Sequence, residues 1–324
     1  MRNVVGWLFC LVTFHSCNFY SIHMNKEERQ FNRAGIKHHV EVFTDSLATS
    51  EAEEIGSKSI FITKNKRYSC EKPTLLLIHG YQGGAIGQWW KNVSKLKRDF
   101  NIICPDLNYH GSTYFNSDYS IEMQVDLVHE MLDFTSSTWA HQNLIVIGSS
   151  YGGLVASRFA EKYSEQVKAL VIYDGLSNCF NPAFTDSVAK SVGIPDAITL
   201  LNPSNGKELR TLMSLDSPIK APLFVFDQLT EFHFNRNRSE KIQLLEYLNK
   251  HETEFNAHNF SWKCPVYLLW GERDKIIPLQ TARCLSEKYS IPENRIFVYP
   301  GIGHVLNIQD HKAFNKWVVE TFSN

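Results

Sequence analysis

Eight short runs of strand-like composition constrain the fold of this chain more than any other feature of its sequence. They are HHVEVF at residues 38–43, SIFITK at 59–64, TLLLIH at 74–79, FNIICP at 100–105, NLIVIG at 143–148, VKALVIYD at 167–174, CPVYLLWG at 264–271 and RIFVYP at 295–300. The first two alternate apolar and polar residues. The later ones lack a polar face, which is typical of strands covered by helices on both sides of a mostly parallel sheet. Helical patterns lie between the later runs, for example at residues 119–134, so the sequence predicts a doubly wound α/β domain.

This alternation of strand and helix breaks between residues 175 and 264. The segment is rich in proline, Asn-Pro and Asn-Gly, which mark turns, with short helical patterns between them and a longer one from Arg238 to about His251. Its many large apolar side chains argue against the alternative, a long irregular surface loop. The sequence therefore predicts a core of residues 38–174 and 265–324, with residues 175–264 inserted after the sixth strand as a helical cap.

The fifth run ends at a serine that lies between glycines. Residues 148–152 read GSSYG, a G-x-S-x-G pentapeptide placed directly between a predicted strand and a predicted helix. In that context the turn is sharp enough to project the serine oxygen above the sheet edge, and the flanking positions leave no room for side chains. Ser150 is the predicted nucleophile because it alone has a glycine two residues away on each side. The alternative is a capping turn in which Ser149 or Ser150 accepts backbone N–H groups.

A serine hydroxyl becomes a good nucleophile only when a base takes its proton and a third group orients that base. The glycine-rich loop after the eighth run offers His304 as the base. The loop after the seventh run offers Asp274 as the acid. Asp174, at the end of the sixth run, and Glu272 remain alternative acids.

Two backbone N–H groups are predicted to stabilise the oxyanion of such a reaction. One belongs to Tyr151, directly after the serine, and the other to Tyr81 in the loop HGYQGG at residues 79–84. The glycines of this loop let its backbone approach the serine closely. We expect His79 to brace the loop through side-chain hydrogen bonds.

Charge and cysteine content exclude several classes of function. The formal net charge is −1, from 33 basic and 34 acidic residues, and no long basic stripe is present, which argues against a nucleic-acid partner. No cysteine or histidine spacing is typical of a zinc site. The five cysteines after residue 17 are an odd number, so they cannot all pair within one chain. Cys104 and Cys264 lie beside apolar runs, which predicts that they are small buried hydrophobic residues.

The N-terminal residues resemble an export signal. Arg2 precedes an apolar stretch at residues 4–14, which at about 1.5 Å per residue is too short to span a bilayer comfortably. Residues 1–17 are therefore predicted to be a secretory signal peptide, the alternative being an apolar N-terminus docked on the fold. The sequence around Cys17 also resembles a bacterial lipobox, in which this cysteine would be lipidated and residues 18–37 would act as a linker. We expect export to a bacterial cell envelope, with contact to a membrane surface through the leader or a lipidated Cys17.

Five motifs together carry a resemblance to the serine α/β-hydrolase superfamily. They are HGY at 79–81, PDLNYHGS at 105–112, GSSYGG at 148–153, GERD at 271–274 and GIGH at 301–304. The resemblance covers about residues 40–322, and within the superfamily the chain looks like bacterial lipases and esterases with a short helical cap, relatives of the monoacylglycerol lipases. It implies the α/β-hydrolase fold, with an eight-stranded, mostly parallel sheet. It also implies Ser150 as nucleophile, Asp274 as acid, His304 as base and no cofactor. Tyr151 departs from the smaller residues common in relatives, which leaves the acyl-chain preference open.

The predicted function is hydrolysis of carboxylic esters with an apolar acyl chain, through an acyl-enzyme, and the expected partner is a small-molecule or lipid ester. A C–C bond hydrolase, thioesterase or amidase would use the same triad, because fold and triad do not determine the bond that is cleaved. C–C hydrolases usually need basic cap groups. Arg210, Arg236 and Arg238 could provide them, although they are read more simply as solvated helix charges. A third hypothesis is a non-catalytic binding protein on a hydrolase scaffold, a class that commonly loses a triad member.

Overall fold

The computed structural model describes residues 36–43, 58–65, 69–111, 113–114, 117–135, 143–215 and 220–323. The predicted leader at residues 1–17, with Cys17, and most of the predicted linker at 18–37 lie outside these ranges. The first strand begins at Ile36, two residues before the predicted start of the core. None of the helices in the described ranges is long and apolar enough to cross a lipid bilayer.

Within the described residues, eight strands form one sheet. They are β1 (Ile36–Phe43), β2 (Lys58–Asn65), β3 (Thr74–Ile78), β4 (Asn101–Pro105), β5 (Leu144–Ser149), β6 (Val167–Tyr173), β7 (Val266–Gly271) and β8 (Ile296–Tyr299). Their order across the sheet is β1-β2-β4-β3-β5-β6-β7-β8. Strand β2 pairs antiparallel with β1 and β4, and all other neighbours are parallel. The predicted eight-stranded, mostly parallel sheet is confirmed.

Helices cover both faces of this sheet. They are α1 (Ala85–Leu96), α2 (Ile121–Thr135), α3 (Tyr151–Lys162), α4 (Pro182–Ser191), α5 (Ala197–Leu201), α6 (Gly206–Met213), α7 (Leu223–Leu229), α8 (Arg238–Lys250), α9 (Glu252–Ala257), α10 (Leu279–Tyr289), α11 (Leu306–Gln309) and α12 (His311–Phe322). A π-helical turn at Thr230–Phe234 joins α7 to the segment before α8.

The residues of the central strands β3, β4 and β5 are buried on both faces because each face packs against helices. In β3, every residue is buried, and successive side chains point to opposite sides of the sheet. Leu75 and Leu77 belong to the core that contains Trp89 and Phe314, from α1 and α12. Leu76 and Ile78 belong to the opposite core, which we call the main core and which contains apolar residues of α2, α3 and α10. This two-sided burial explains the absence of a polar face in the sequence runs.

Helices α4 to α9 lie between β6 and β7, as expected for a helical insertion after the sixth strand. The predicted long helix from Arg238 ends at Lys250. Leu244, Leu245 and Leu248 of this helix belong to the main core, so α8 fixes the inserted segment to the sheet domain. We call the described residues between 175 and 264 the cap. The exact division of the chain into domains stays a prediction.

A disulfide adds a covalent link that the sequence did not specify. Cys179, at the start of the cap, is bonded to Cys284 on α10, across a sequence separation of 105 residues. Cys104 is fully buried, as predicted, and Cys264 is half-buried. The fifth cysteine, Cys70, is exposed. The pairing therefore ties the cap to the core.

Close packing between β5 and α3 fixes the strand-to-helix turn. A Cβ atom placed on Gly148 would lie 2.2 Å from the Gly152 carbonyl oxygen and 2.5 Å from Ala156 Cβ. Carbon atoms make favourable contact only near 3.5–4.0 Å, so even one methyl group does not fit. The strand and the helix consequently touch through their backbones, as the G-x-S-x-G spacing predicts.

We expect Gly148→Ala to lower the free energy of unfolding by about 1–3 kcal/mol, because overpacking at this contact forces the turn to move. Gly87 on α1 is the matched control, since a Cβ there would meet nothing within 4 Å. Gly87→Ala should leave stability unchanged or raise it by about 0.5–1 kcal/mol through its helix propensity. Urea unfolding measures both values, and equal stability of the two variants would contradict this account of the turn.

Candidate active site

Ser150 lies at the turn between β5 and α3 in a strained backbone conformation. Its φ is 53° and its ψ is −124°, values that a residue with a side chain rarely adopts. Its N–H donates to the Tyr173 carbonyl at 3.1 Å. Its carbonyl accepts from the N–H groups of Gly153 and Leu176 at 2.9 and 2.8 Å. These three hydrogen bonds hold the strained turn against the end of β6 and the start of the cap.

The structure brings Ser150, His304 and Asp274 together from three separate parts of the chain. His304 Nε2 lies 2.9 Å from Ser150 Oγ, and His304 Nδ1 lies 2.7 Å from Asp274 Oδ2. The Asp274 side chain is fully buried, whereas that of His304 is 15% exposed. The other carboxylate oxygen of Asp274 accepts from the backbone N–H groups of Ile276 and Ile277 at 2.8 and 2.9 Å. The carboxylate is thus held in a fixed orientation.

This geometry selects one tautomer of His304. A carboxylate oxygen can only accept, so Nδ1 donates its proton to Asp274 and Nε2 presents its lone pair to the Ser150 hydroxyl. A neutral imidazole in this orientation is able to accept the hydroxyl proton. The arrangement therefore has the geometry of an activated nucleophile.

The two alternative acids lie elsewhere. Asp174 Oδ1 accepts from the Gly271 N–H at 2.7 Å, which links the end of β6 to the end of β7. Glu272 accepts from the Gly301 N–H at 2.8 Å and is exposed. Of the three candidate carboxylates, Asp274 is the one that bonds to His304. Among the residues that the structure describes, no group of three or more His, Cys, Asp or Glu side chains is arranged to hold a metal ion.

The loop after β3 lies directly against the serine. A Cβ on Gly80 would be 2.8 Å from Ser150 Cβ and 3.5 Å from its Oγ, so this position requires glycine. His79 braces the loop, since its Nδ1 lies 2.8 Å from the Gly80 carbonyl and its Nε2 accepts from the Leu107 N–H at 2.9 Å. Burial lowers the pKa of His79 to about 4, so it is neutral and serves as a structural group. Tyr81 follows Gly80 in this loop, and the role of its backbone N–H as an oxyanion donor stays a prediction.

Tyr151 contributes the first N–H group of α3, while its side chain is buried in the core. The ring stacks on that of His110, with centroids 6.2 Å apart. Burial raises the pKa of the Tyr151 hydroxyl. The residue combines a backbone position next to the serine with a side chain that serves packing.

Sequence reasoning missed a set of contacts between the loop and the cap. The Tyr81 hydroxyl lies 2.7 Å from both Asn202 Oδ1 and the Lys241 carbonyl oxygen. Gln82 Nε2 donates to Asn202 Oδ1 at 2.7 Å and to the Leu201 carbonyl at 3.1 Å. These partners lie on α8 and at the end of α5, so two consecutive loop side chains are bound to the cap.

Lys241 completes this set with a buried amino group. Lys241 is only 2% exposed, and its Nζ donates to Gln82 Oε1 at 2.6 Å. Nζ also lies 3.1 Å from the Phe234 carbonyl oxygen and 3.4 Å from that of His233. Three oxygen atoms thus surround a group that has three donors when charged. The sequence did carry a signal, because Lys241 shares the i, i+3, i+4, i+7 spacing of the buried leucines of α8.

Burial makes the charge of Lys241 costly. It lowers the pKa of this amino group from 10.5 to about 7, with further lowering by Arg236 and Arg238 and an opposing effect of Glu240. Arg238 is itself only partly exposed, and its Nη2 donates to the Asn202 carbonyl at 2.8 Å. Arg238 therefore bonds within the cap to Asn202, the residue that contacts Tyr81 and Gln82, and it is not the fully solvated charge that the sequence suggested.

Comparisons with known proteins agree with this fold. A family model for the α/β hydrolase fold matches residues 73–191. The chain is 23% identical to a human monoacylglycerol lipase over 259 residues, which are 77% of this chain and 75% of that protein. It is 24% identical to lipase 3 of Moraxella sp. strain TA144 over 250 residues, 74% of this chain and 76% of the lipase.

Solved structures show the same architecture. A membrane phospholipase A described as a bacterial virulence factor superposes with a TM-score of 0.72 at 18% identity, covering 98% of this chain and 97% of the phospholipase. A meta-cleavage product hydrolase from Pseudomonas fluorescens IP01 superposes with a TM-score of 0.62 at 18% identity, covering 81% and 93%. The fold is that of the α/β hydrolases. The chain is similar to lipases and esterases with this fold.

The lowered pKa of Lys241 has a consequence for stability. Between pH 7 and 10.5 the unfolded chain binds a proton at this residue that the folded chain has lost, so its contribution to stability rises with pH. The free energy of unfolding of the wild type should therefore rise by about 2 kcal/mol relative to Lys241→Met between pH 7 and 9.

Urea unfolding at pH 7, 8 and 9 measures this difference. Lys250→Met is the matched control, because Lys250 is an exposed residue of the same helix. The control should follow the wild type at every pH. A stability difference between wild type and Lys241→Met that does not change with pH would show that the buried amino group is not the cause.

Proposed function

We propose that this protein is a serine hydrolase that cleaves carboxylic esters with an apolar acyl chain through an acyl-enzyme. The observation that carries the proposal is the continuous chain of hydrogen bonds from Ser150 Oγ through His304 to Asp274, with distances of 2.9 and 2.7 Å. A serine on a strained turn, a base within hydrogen-bond reach and a buried acid are the three parts that nucleophilic catalysis needs.

In the first half of the reaction Ser150 Oγ attacks the ester carbonyl carbon while its proton moves to His304 Nε2. The imidazolium that forms is stabilised by the Asp274 carboxylate, which keeps its charge. His304 then gives the proton to the leaving alcohol oxygen as the C–O bond breaks, and the acyl group remains on the serine. In the second half water attacks the acyl-enzyme, His304 takes the water proton, and the proton returns to the serine as the acid leaves.

Negative charge develops on the carbonyl oxygen in both halves, and we propose the backbone N–H groups of Tyr151 and Tyr81 as the donors that stabilise it. The Tyr151 N–H belongs to the first turn of α3, where backbone N–H groups have no intrahelical partner. The Tyr81 N–H follows Gly80, whose backbone lies against the serine. The helix N-terminus adds its positive dipole at the same point. Loss of one such donor typically costs about 2.7–4 kcal/mol of transition-state stabilisation.

Apolar residues of the cap favour a substrate with an apolar acyl group. Leu176, Ile198 and Leu201 are partly buried apolar residues at the edge of the main core. The Leu176 N–H donates to the Ser150 carbonyl, and the Leu201 carbonyl accepts from Gln82, so both lie close to the site. The names of the lipases to which the chain is similar point in the same direction.

Export belongs to the proposal as well. A disulfide such as Cys179–Cys284 persists in an oxidising compartment, which agrees with the signal-like leader at residues 1–17. Attachment to a membrane through the leader or a lipidated Cys17 would bring the site to lipid esters.

Ser150→Ala should lower turnover of p-nitrophenyl butyrate by about 10⁴–10⁶-fold, because the variant keeps the fold but lacks the attacking oxygen. Ser149→Ala is the matched control, since Ser149 is the neighbouring hydroxyl and is 2% exposed. The control should retain activity within about threefold. Steady-state kinetics on both variants decide the matter, and a Ser150→Ala enzyme as active as the wild type would refute the mechanism.

A C–C bond hydrolase is the second candidate. The partly buried Arg238 and the buried Lys241 supply basic groups in the cap, and the chain shares its fold with a meta-cleavage product hydrolase. We favour ester hydrolysis over C–C cleavage because Lys241 already donates to protein oxygen atoms, which leaves it less suited to bind a substrate carboxylate.

A panel of p-nitrophenyl esters from C2 to C12, an acyl thioester and a 2-hydroxy-6-oxo-dienoate separates the candidates. We expect kcat/KM for the best ester to exceed that for the dienoate by at least about 100-fold, a difference of about 2.7 kcal/mol in transition-state stabilisation. Higher kcat/KM on the dienoate would replace the proposed ester hydrolysis with C–C cleavage by the same triad.

A further inference from the structure

The loop that contains Tyr81 is bound to the cap by five hydrogen bonds from two consecutive side chains. The Gln82 side chain uses its amide nitrogen for Asn202 and Leu201 and its amide oxygen for Lys241. The adjacent Tyr81 hydroxyl contacts Asn202 and the Lys241 carbonyl. Two neighbouring side chains therefore bind the cap, and the first of them belongs to the residue whose backbone N–H is the proposed oxyanion donor.

We infer that Lys241 is a positioning residue for the oxyanion site, because through Gln82 it holds the backbone of residues 81–82. The proposed oxyanion donor is then in place only when the cap is bound to the loop. This inference rests on the proposed function. Lys241 acts through Gln82 and the loop backbone and is placed outside the reacting atoms.

The backbone of the loop explains why it needs such support. Gln82 has a φ of 60°, in the left-handed region that a residue with a side chain adopts at an energetic cost. The Gly83 N–H donates to the Gly80 carbonyl at 3.1 Å, which closes a tight turn around Tyr81 and Gln82. A strained turn persists only when its surroundings hold it, and here the side-chain contacts of Gln82 do so.

Lys241 is itself held firmly enough to fix Gln82. It lies on the face of α8 that buries Leu244, Leu245 and Leu248 in the main core, and its amino group is bound to the Phe234 carbonyl before the helix. The contact with Gln82 therefore joins the loop to a rigid helix. A displacement of α8 away from the loop would lengthen the 2.6 Å distance between Lys241 Nζ and Gln82 Oε1 and break this hydrogen bond.

A donor that is held in place before the reaction contributes more than one that must be ordered during it. Loosening residues 81–82 should therefore lower kcat, because the oxyanion forms only along the reaction path. Ground-state binding of the ester does not use this donor strongly, so KM should change little. A residue with a purely structural role would instead lower the amount of folded enzyme without this separation of kcat and KM.

The test measures kcat and KM for p-nitrophenyl butyrate in wild type, Lys241→Met, Gln82→Ala and the double variant, with Lys250→Met as the exposed control on the same helix. Active enzyme is counted by titration of the reactive serine. We expect Lys241→Met to lower kcat at least tenfold with KM within threefold. In the Gln82→Ala background the same substitution should change kcat by less than twofold, because the contact it removes is already absent.

Two results would overturn the inference. One is a Lys241→Met enzyme with kcat within twofold of wild type, and the other is an equal loss in both backgrounds, which would show that Lys241 acts without Gln82. If Lys241→Met does not fold, Gln82→Ala decides by itself, because it alters a partly exposed loop residue and must lower kcat. A wild type without ester turnover would reject the proposed function, whereas an active wild type with an unaffected Lys241→Met rejects this inference alone.

Discussion

The hydrogen bond between Ser150 Oγ and His304 Nε2 joins residues 154 positions apart in the chain, and most of the structure is needed to form it. The serine oxygen is lifted above the sheet by a strained turn, with φ at 53°, and that turn exists because β5 and α3 meet through glycines. The histidine arrives from the loop after β8, three places along the sheet from β5. Parallel strands place their carboxyl ends at one edge, so the order of the strands brings the loops together.

The cap is fixed both to the core and to the loop beside Ser150. A covalent link at Cys179–Cys284 and the buried leucines of α8 fix it to the core, and the contacts of Gln82 extend that fixation to the loop beside the serine. Burial of Lys241 is energetically costly, as its lowered pKa shows. We infer that this buried amino group is retained because it specifies a position, namely the geometry of the loop. In the proposed mechanism, the position of the cap and the stabilisation of the oxyanion depend on the same helix, α8.

Sequence alone predicted the sheet, the inserted helices, Ser150 and His304, because strand periodicity and glycine spacing are local signals. It named Asp274 as the acid with Asp174 and Glu272 as alternatives. The sequence does not separate Asp274 from Asp174 and Glu272, since all three lie at the ends of the adjacent strands β6 and β7. In the structure they differ in their partners, and the Asp274 carboxylate is the one that bonds to His304. The disulfide and the contact of Lys241 with Gln82 join residues 105 and 159 positions apart, which no local pattern encodes. The leader, with Cys17, lies outside the described residues.

The most direct test of the central claim is to locate the nucleophile chemically. A fluorophosphonate reacts with an activated serine and leaves a stable adduct whose mass identifies the peptide that carries it. We expect one adduct per chain, on Ser150, at a rate that falls by at least about 100-fold in His304→Ala, because the base that activates the hydroxyl is then absent. Absence of labelling in the folded wild type, or an adduct on a different serine, would contradict the account.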